Sequence, residues 1–488
     1  MLAELVALNR WDEAGLAAQL THQLRELIAS GRIKRGAVLP SSRHLAVELD
    51  VSRNTVTHAY EQLAAEGYLR VAARRRPVVI DDIEERLAGA TPVPRREATR
   101  KPQLAPWALR LEDVGWPMSY QAEFRPLRAG LADAREFPHE IWARCLRRSA
   151  LRRRFNDQTL VNRPSLRQAL CDYLETGRGV RAEANQILIL PTAQAALTLV
   201  TATTITPGDT VWTEDPGYPG AAAAFRAAGA KVVGIRLDQW GMTRARQTRA
   251  PKLIFATPSH QHPTGRVMPV ARRTELLAAA EPGKTWIVED DYDGEFHYDS
   301  RPMPALQGLD REGRVLYVGT FAKAMTADIR IGYLVVPPSL ARTMEVAQRH
   351  LGLIASVHVQ EALSDFMSDG HFLAHVRRVR RIYRARRDHL ATLLERHLGK
   401  VLDAEVPHGG MQLIARFRNG GADREVVDRL VAAGVEVRAL SSLAVERPRD
   451  SGLLLGFAAW RESEISRAVR IMADCLAGKR AQVLGRAV

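Results

Sequence analysis

Val315-Leu316-Tyr317-Val318-Gly319-Thr320-Phe321-Ala322-Lys323 is a mostly apolar run that stops on a turn bearing a single amine. Apolar residues without polar alternation predict a strand buried on both faces, the habit of parallel strands covered by helices. Six further runs read the same way: Ile187–Leu190, Val211–Trp212, Lys231–Ile235, Leu253–Ala256, Trp286–Val288 and Ile331–Val336. Helical stretches or turns separate most of them. From about residue 118 onward the chain is therefore expected to be α/β, built on a mainly parallel sheet.

The residues at the ends of these runs carry the chemistry. A lysine on the turn after a buried strand can have its pKa lowered by partial burial, as a Schiff-base amine needs. Lys323 alone says little, and its companions say more. Asp290 ends the run Trp286–Val288, where a buried carboxylate can keep a pyridine nitrogen protonated and make the ring an electron sink. Tyr292 points the same way along an extended chain and can bond a ring hydroxyl. Thr192-Ala193-Gln194 lies between a strand and a helix, where free N–H groups and the helix dipole bind phosphate. Thr320 and Arg330 flank Lys323 and can complete that phosphate site, and Tyr218 is placed to stack on a flat ring. Singly, Asp290 as a loop cap and Tyr292 as core are ordinary. Their joint occurrence in this order is not.

Together these residues, with Pro263-Thr264-Gly265 and Arg330-Ile331-Gly332-Tyr333, resemble fold type I pyridoxal-phosphate enzymes of the aspartate aminotransferase kind. The resemblance covers about 118–478, with a C-terminal small lobe at about 370–478. It implies pyridoxal phosphate as cofactor, Lys323 as its Schiff-base residue, and Asp290, Tyr292, Tyr218, Thr192, Ala193, Gln194, Thr320, Arg330 and His262 around it.

Working toward the N-terminus, residues 1–80 read as a second domain. Leu16, Leu20, Leu24, Leu27 and Ile28 share a helical face that Gly31 ends. Ser41 and Ser42 are candidate caps of a short helix, and Ser52 caps a third helix from Arg53 to about Glu66. Leu69-Arg70-Val71 and Val78-Val79-Ile80 complete a hairpin, so the order is that of a winged helix-turn-helix. The start of the motif's second helix enters the major groove. There Arg53 and Asn54 can read base edges, while Ser52, Thr55, Ser42 and Arg43 can hold phosphate. The strings Leu39-Pro40-Ser41-Ser42-Arg43, Val51-Ser52-Arg53-Asn54-Thr55-Val56 and Glu66-Gly67-Tyr68-Leu69 closely resemble the GntR-type DNA-binding domain. That family's wing usually carries glycines at its tip. Here Arg74, Arg75 and Arg76 stand there, either pressed onto DNA or simply solvated.

Residues 81–117, with Pro92, Pro94, Pro102 and Pro106 among mixed charges, are expected to be an extended linker. The whole chain of 488 residues has 70 Lys+Arg against 55 Asp+Glu, a formal charge of +15. That excess fits nucleic acid or a merely arginine-rich surface. Arg377, Arg378, Arg380, Arg381, Arg384, Arg386 and Arg387 form a dense run, expected to be a solvated face paired with acids elsewhere. Three scattered cysteines without a CxxC argue against a disulfide framework and a thiolate zinc site, and no metal is expected. The uncharged stretch between Glu183 and Asp209 is too rich in threonine and proline for a membrane span.

A GntR-type head, a linker and an aminotransferase-like body resemble the MocR group of bacterial transcription regulators. Glu214-Asp215-Pro216-Gly217-Tyr218, Thr257-Pro258-Ser259-His260-Gln261 and Glu289-Asp290-Asp291-Tyr292 are close to that group's motifs. The resemblance implies a cytoplasmic homodimer, with heads swapped over the partner's body. It also implies binding to operator DNA and sensing of an amine or amino acid by aldimine exchange at Lys323. A working aminotransferase with an appended head is the alternative, and a DNA binder whose body has lost the cofactor is a third reading. Departures bear on the choice. Leu454 aligns where aminotransferases place a carboxylate-binding arginine, leaving Arg438 or Arg461 as substitutes. Ala322 stands for a serine, Asn162 for a glycine, and His262 for an asparagine.

Overall fold

The computed structural model describes residues 2–9, 15–72, 75–80, 104–114, 125–152, 161–243, 250–299, 303–448 and 450–477. The chain divides into two compact units, Met1–Gln103 and Leu104–Val488. Among the described residues no helix is long and apolar enough to cross a membrane, and no cluster of His, Cys, Asp and Glu suits a metal ion.

In the first unit, α1 (Leu16–Ala29), α2 (Ser42–Glu48) and α3 (Arg53–Ala65) precede the antiparallel pair β1 (Leu69–Arg70) and β2 (Val78–Val79). The caps act as the sequence indicates. Ser41 Oγ accepts from His44 N, and Ser52 Oγ accepts from Thr55 N at 3.1 Å, fixing where α2 and α3 begin. Leu20, Leu24, Leu45, Val56, Ala59 and Leu63 are completely buried between the three helices.

The second unit is built on an eight-stranded sheet of order β3-β10-β9-β8-β7-β4-β5-β6. In chain order the strands are β3 (Ile187–Leu190), β4 (Thr210–Asp215), β5 (Lys231–Asp238), β6 (Gly241–Met242), β7 (Leu253–Ala256), β8 (Trp286–Asp291), β9 (Val315–Thr320) and β10 (Gly332–Val335). The central pairs β5·β4, β4·β7, β7·β8 and β8·β9 are parallel, while β10 is antiparallel to both β9 and β3. Because β10 runs backwards, β3 regains the sense of β9. The carboxyl ends of β3, β4, β7, β8 and β9 therefore meet at one edge, where open α/β sheets gather their ligands.

The unalternated runs are explained by burial on two faces. Ile187 and Ile189 pack toward the helices Pro164–Arg178 and Val357–Ser368, whereas Leu188 and Leu190 pack toward Ala193–Thr204 and Pro338–His350. A second, four-stranded sheet of order β11-β12-β14-β13 forms the smaller lobe: β11 (Leu402–Glu405), β12 (Gln412–Phe417), β13 (Arg438–Ala439) and β14 (Gly452–Gly456). The helices His371–Leu398 and Glu462–Leu476 cover it.

Two differences from the sequence reading stand out. Within the span expected to be linker, Pro106–Val114 is a helix, and Arg110 donates to the Ala227 carbonyl at 2.8 Å. The rest of that span lies mostly outside the described residues. The arginine run of helix His371–Leu398 is partly internal. Arg386 is buried against Asp133 and Arg387 against Asp299, while Arg378 pairs with Glu136 and Arg384 with Asp299.

Asn162, at the position where a glycine is usual, is likewise built in. Its Oδ1 accepts from Ile189 N at 2.7 Å, and its amide donates to Gln348 Oε1 at 2.9 Å. Gln348, fully buried, also donates to the Ile189 carbonyl at 2.6 Å. Gln348→Ala strands several buried polar groups at once and should destabilise the body by about 3 kcal/mol, read as a lower urea midpoint with unchanged slope.

Candidate functional site

Lys323 sits in the one-turn helix Phe321–Ala324 directly after β9, and Thr320 caps that turn by accepting from Ala322 N at 3.2 Å. Its Nζ donates to the Gly130 carbonyl at 2.5 Å. The chain passes from β3 through Thr192 into the helix Ala193–Thr204, and Thr192 Oγ1 accepts from Ala195 N at 3.0 Å. Leu190, Gly332 and Thr320 stand opposite one another across β3, β10 and β9. A Cβ on Gly332 would lie 2.8 Å from Ala193 N, so only glycine lets these two turns come together. The Ala193 end of that helix and the Lys323 turn thus form one end of a cleft. Gln194 is turned aside, donating to the Gly220 carbonyl at 3.1 Å. Arg330 is exposed and holds a left-handed φ of 52°, a conformation non-glycine residues rarely keep without a reason.

One strand over, β8 delivers three acids in a row, and the pleat separates their fates. Glu289 faces Arg273 at 3.5 Å, with both side chains completely buried. Asp291 binds Arg178 at 2.7 Å and accepts from the Tyr317 hydroxyl. Burial would raise the Asp291 carboxyl, but Arg178 together with hydrogen bonds from Tyr317 and Ser259 outweighs it and holds the pKa below the usual range. Asp290 points the other way, toward the cleft. Its Oδ1 is buried with no partner among the described residues, and burial, then the charges of Asp291 and Asp293, push its pKa up to about 8.

Aromatic rings flank Asp290. His262 makes edge contacts with Tyr218 and Tyr292, at centroid distances of 5.7 and 6.0 Å. Burial, then Arg438 and Lys323, lower the His262 pKa to about 3, so it is a neutral ring near pH 7. The loop that carries it hangs on Glu214, whose Oε2 accepts from Thr257 N, Thr257 Oγ1 and Gln261 Nε2. Lys323 is itself partly open to the cleft. Surrounding protein lowers its pKa against the opposing pull of Asp293 and Asp290.

In the first unit the candidate DNA residues form one surface. Arg43, Ser52, Arg53 and Asn54 are exposed, with Ser42 and Thr55 half-buried beside them. Arg53 Nε lies 3.5 Å from Ser42 Oγ, which brings the starts of α2 and α3 side by side. Ser52 Oγ is also 2.8 Å from Thr55 Oγ1, so both hydroxyls already have partners. Arg75 and Arg76 are exposed, and Arg74 lies outside the described residues.

Comparison with known proteins accounts for both arrangements. The model for bacterial regulatory proteins of the gntR family matches residues 16–79, and that for aminotransferase class I and II matches residues 131–471. The probable rhizopine catabolism regulatory protein MocR of Rhizobium meliloti is 36% identical, over 93% of this chain and 92% of its own. The chain belongs to the MocR group of gntR-type regulators. The pyridoxine biosynthesis transcriptional regulator PdxR of Corynebacterium glutamicum is 30% identical over 96% of this chain and all of its own. Among solved structures, a multiple substrate aminotransferase from Thermococcus profundus is 26% identical with a TM-score of 0.67, covering 77% of this chain and 96% of its own.

The departures from the aminotransferase pattern now have places. Leu454 is buried among Ile414, Leu440, Leu443 and Ala129, so the carboxylate-binding position is apolar. Arg438 stands directly opposite Leu454 on β13 and acts on Tyr218 and His262. It also lines a cleft of about 250 Å³ with Gly217, Pro219, Arg226 and Ser442. Arg461, by contrast, is exposed at the start of the helix Glu462–Leu476. The sequence reading missed Glu214 as the hub of the His262 loop, His58 one turn beyond Asn54 on the exposed side of α3, and the His260–Asp293 pair. Glu214 and His260 lay inside quoted motifs, but nothing in the linear order linked them to a partner.

Proposed function

We propose that the chain is a transcription regulator whose first unit binds operator DNA and whose second unit holds pyridoxal phosphate and senses an amine or amino acid. The observation that carries this reading is the buried, partnerless Asp290 Oδ1 in the same cleft as Lys323, a carboxyl that lacks only a ring nitrogen. Bound there, pyridoxal phosphate would supply an aldehyde that condenses with amines and a ring that withdraws electrons. Lys323 would hold the aldehyde carbon, and Asp290 the ring nitrogen. Tyr292 and neutral His262 would line the ring and Tyr218 would stack on it. Thr192, Ala193, Thr320 and Arg330, with the backbone N–H of Gln194, would gather the phosphate. With Leu454 apolar, Arg438 is the cation placed to receive a carboxylate on the ligand. The relatives named for regulation support the reading, as does the gntR-type head. A homodimer with exchanged heads, working in the bacterial cytoplasm, belongs to the same proposal.

The test titrates the loaded protein with amines and amino acids, recording its visible band and its affinity for the DNA beside its own gene. A ligand that changes the band should shift DNA affinity by about 5-fold or more. Band changes with constant DNA affinity would sink the sensing role. Steady transamination would favour the enzyme reading, which the intact Lys323, Asp290 and Arg438 set supports.

On the head, Arg53→Ala should weaken specific binding by about 5- to 150-fold, corresponding to roughly 1–3 kcal/mol, and relax base preference at one position. Arg76→Ala should instead weaken all sequences alike and reduce the salt slope by about one. Anisotropy titrations at two salt concentrations distinguish them.

A further inference from the structure

Asp291 stands opposite Gly319 across the parallel strands β8 and β9. The turns that carry Asp293 and Lys323 therefore leave the sheet side by side, and Asp293 is a second buried acid there that the cofactor reading leaves unused. Asp293 is 1% exposed, and its Oδ1 lies 2.8 Å from His260 Nδ1, with both side chains buried. Its Oδ2 is buried with no partner among the described residues. The other lobe seals the pair with two glycines. A Cβ on Gly409 would lie 2.2 Å from His260 Nε2, and one on Gly410 would lie 3.0 Å from Asp293 Oδ2. No side chain there can reach in to satisfy the oxygen. A ring nitrogen would satisfy Asp290, on β8, and leaves the Asp293 oxygen unanswered. On the donor side, Lys323 carries three N–H donors as an ammonium, and among the described residues one hydrogen bond is formed, to Gly130.

We infer that Asp293, held by His260, is the counter-charge for the Lys323 ammonium whenever that amine is not bonded to carbon. This makes Asp293 a positioning residue for the amine rather than a holder of the cofactor. Of the charges acting on Lys323, Asp293 is the foremost, followed by Asp290, with Arg128 opposing them. The groups acting on Asp293 in turn are His260 from the loop after β7, Asp291 from β8 and Lys323 from the turn after β9. A ligand amine that displaces Lys323 leaves a basic side chain in a partly buried site, where an unpaired cation is costly. A ready carboxylate removes that cost and favours release of the lysine to the incoming amine.

The inference rests on Lys323 being the functional amine, yet its test needs no cofactor. The full chain, stripped with hydroxylamine and dialysed, is labelled with acetic anhydride across pH, and the Lys323 peptide is quantified against the exposed Lys231. In Asp293→Asn the pH midpoint for Lys323 labelling should fall by about one unit or more, with Lys231 unchanged. Asp293→Ser removes the same charge and should move the midpoint the same way. An unchanged or raised midpoint overturns the assignment. So does failure of both variants to fold, which would make the carboxylate structural. A chain that never binds pyridoxal phosphate but shows the shift would defeat the functional reading above and leave this one standing.

Discussion

Replacing Lys323 with alanine should abolish borohydride-fixed attachment of pyridoxal phosphate, while leaving the fold and the basal DNA affinity within about 2-fold. The chain has eight lysines, so chemical specificity must come from environment. Lys34, Lys231, Lys284 and Lys400 are exposed. Lys323 combines surroundings that favour the neutral amine with a position at the sheet's carboxyl edge, facing Asp290. Mass spectrometry after reduction should therefore find the label on the Lys323 peptide of the unsubstituted chain and nowhere in Lys323→Ala. The variant should still bind the cofactor loosely through Asp290 and the Thr192 turn. If the DNA affinity of the chain responds to an amine ligand, that response should vanish in the variant. A response that survives intact would mean that the ligand acts elsewhere.

How much of this was legible in the sequence follows from what each feature needs. Most strands of the large sheet were readable because they are buried on both faces, as Ile187 to Leu190 illustrate with every residue at 0% exposure. By contrast, β5 is only partly buried and the two-residue β6 carries no such signal. The smaller sheet was not readable, since β11 carries Asp403 and Glu405 in only four residues and mimics a loop. The helix Pro106–Val114 escaped notice because Trp107, Leu109 and Leu111 all remain exposed, so no buried stripe marks it. The site residues divide likewise. Asp290 and Tyr292 lie in one motif and could be read together. His260 and Asp293 are 33 residues apart, and their pairing is a product of topology. β7 and β8 are parallel neighbours, so the loops that follow them emerge side by side. The same edge gathers Glu214 from β4, His262 beyond β7 and Lys323 beyond β9. Linear spacing encodes none of this.

Asp290→Ala is expected to weaken pyridoxal phosphate binding by roughly 100- to 1000-fold, the scale of removing one member of a buried ion pair. No neighbouring acid can take over the role of Asp290. Glu289 and Asp291 face away and are already engaged by Arg273 and Arg178. Burial of Asp290 gives the cofactor-free chain a characteristic pH dependence. Asp290 is pushed up to about 8 and Glu214 and Glu295 to about 7, all mainly by burial. Each is an acid whose folded pKa lies above its unfolded value, so the folded state binds the extra protons. That stability is fully present below about pH 4 and is lost as pH rises through the folded values, toward about 8. Burial lowers the folded pKa values of His262, His297 and His375 to about 3 to 4, which opposes this trend up to about pH 6.5. Thermal unfolding of the cofactor-free protein should therefore occur at progressively lower temperature between about pH 6.5 and pH 8. Asp290→Ala should flatten that slope, and Asp290→Asn should flatten it equally while preserving the packing. A protonated ring nitrogen does the converse: it lowers the Asp290 pKa, so loading the cofactor should flatten the slope in the unsubstituted chain and leave Asp290→Ala unaffected. A cofactor that steadies both chains equally across pH would place its nitrogen away from Asp290.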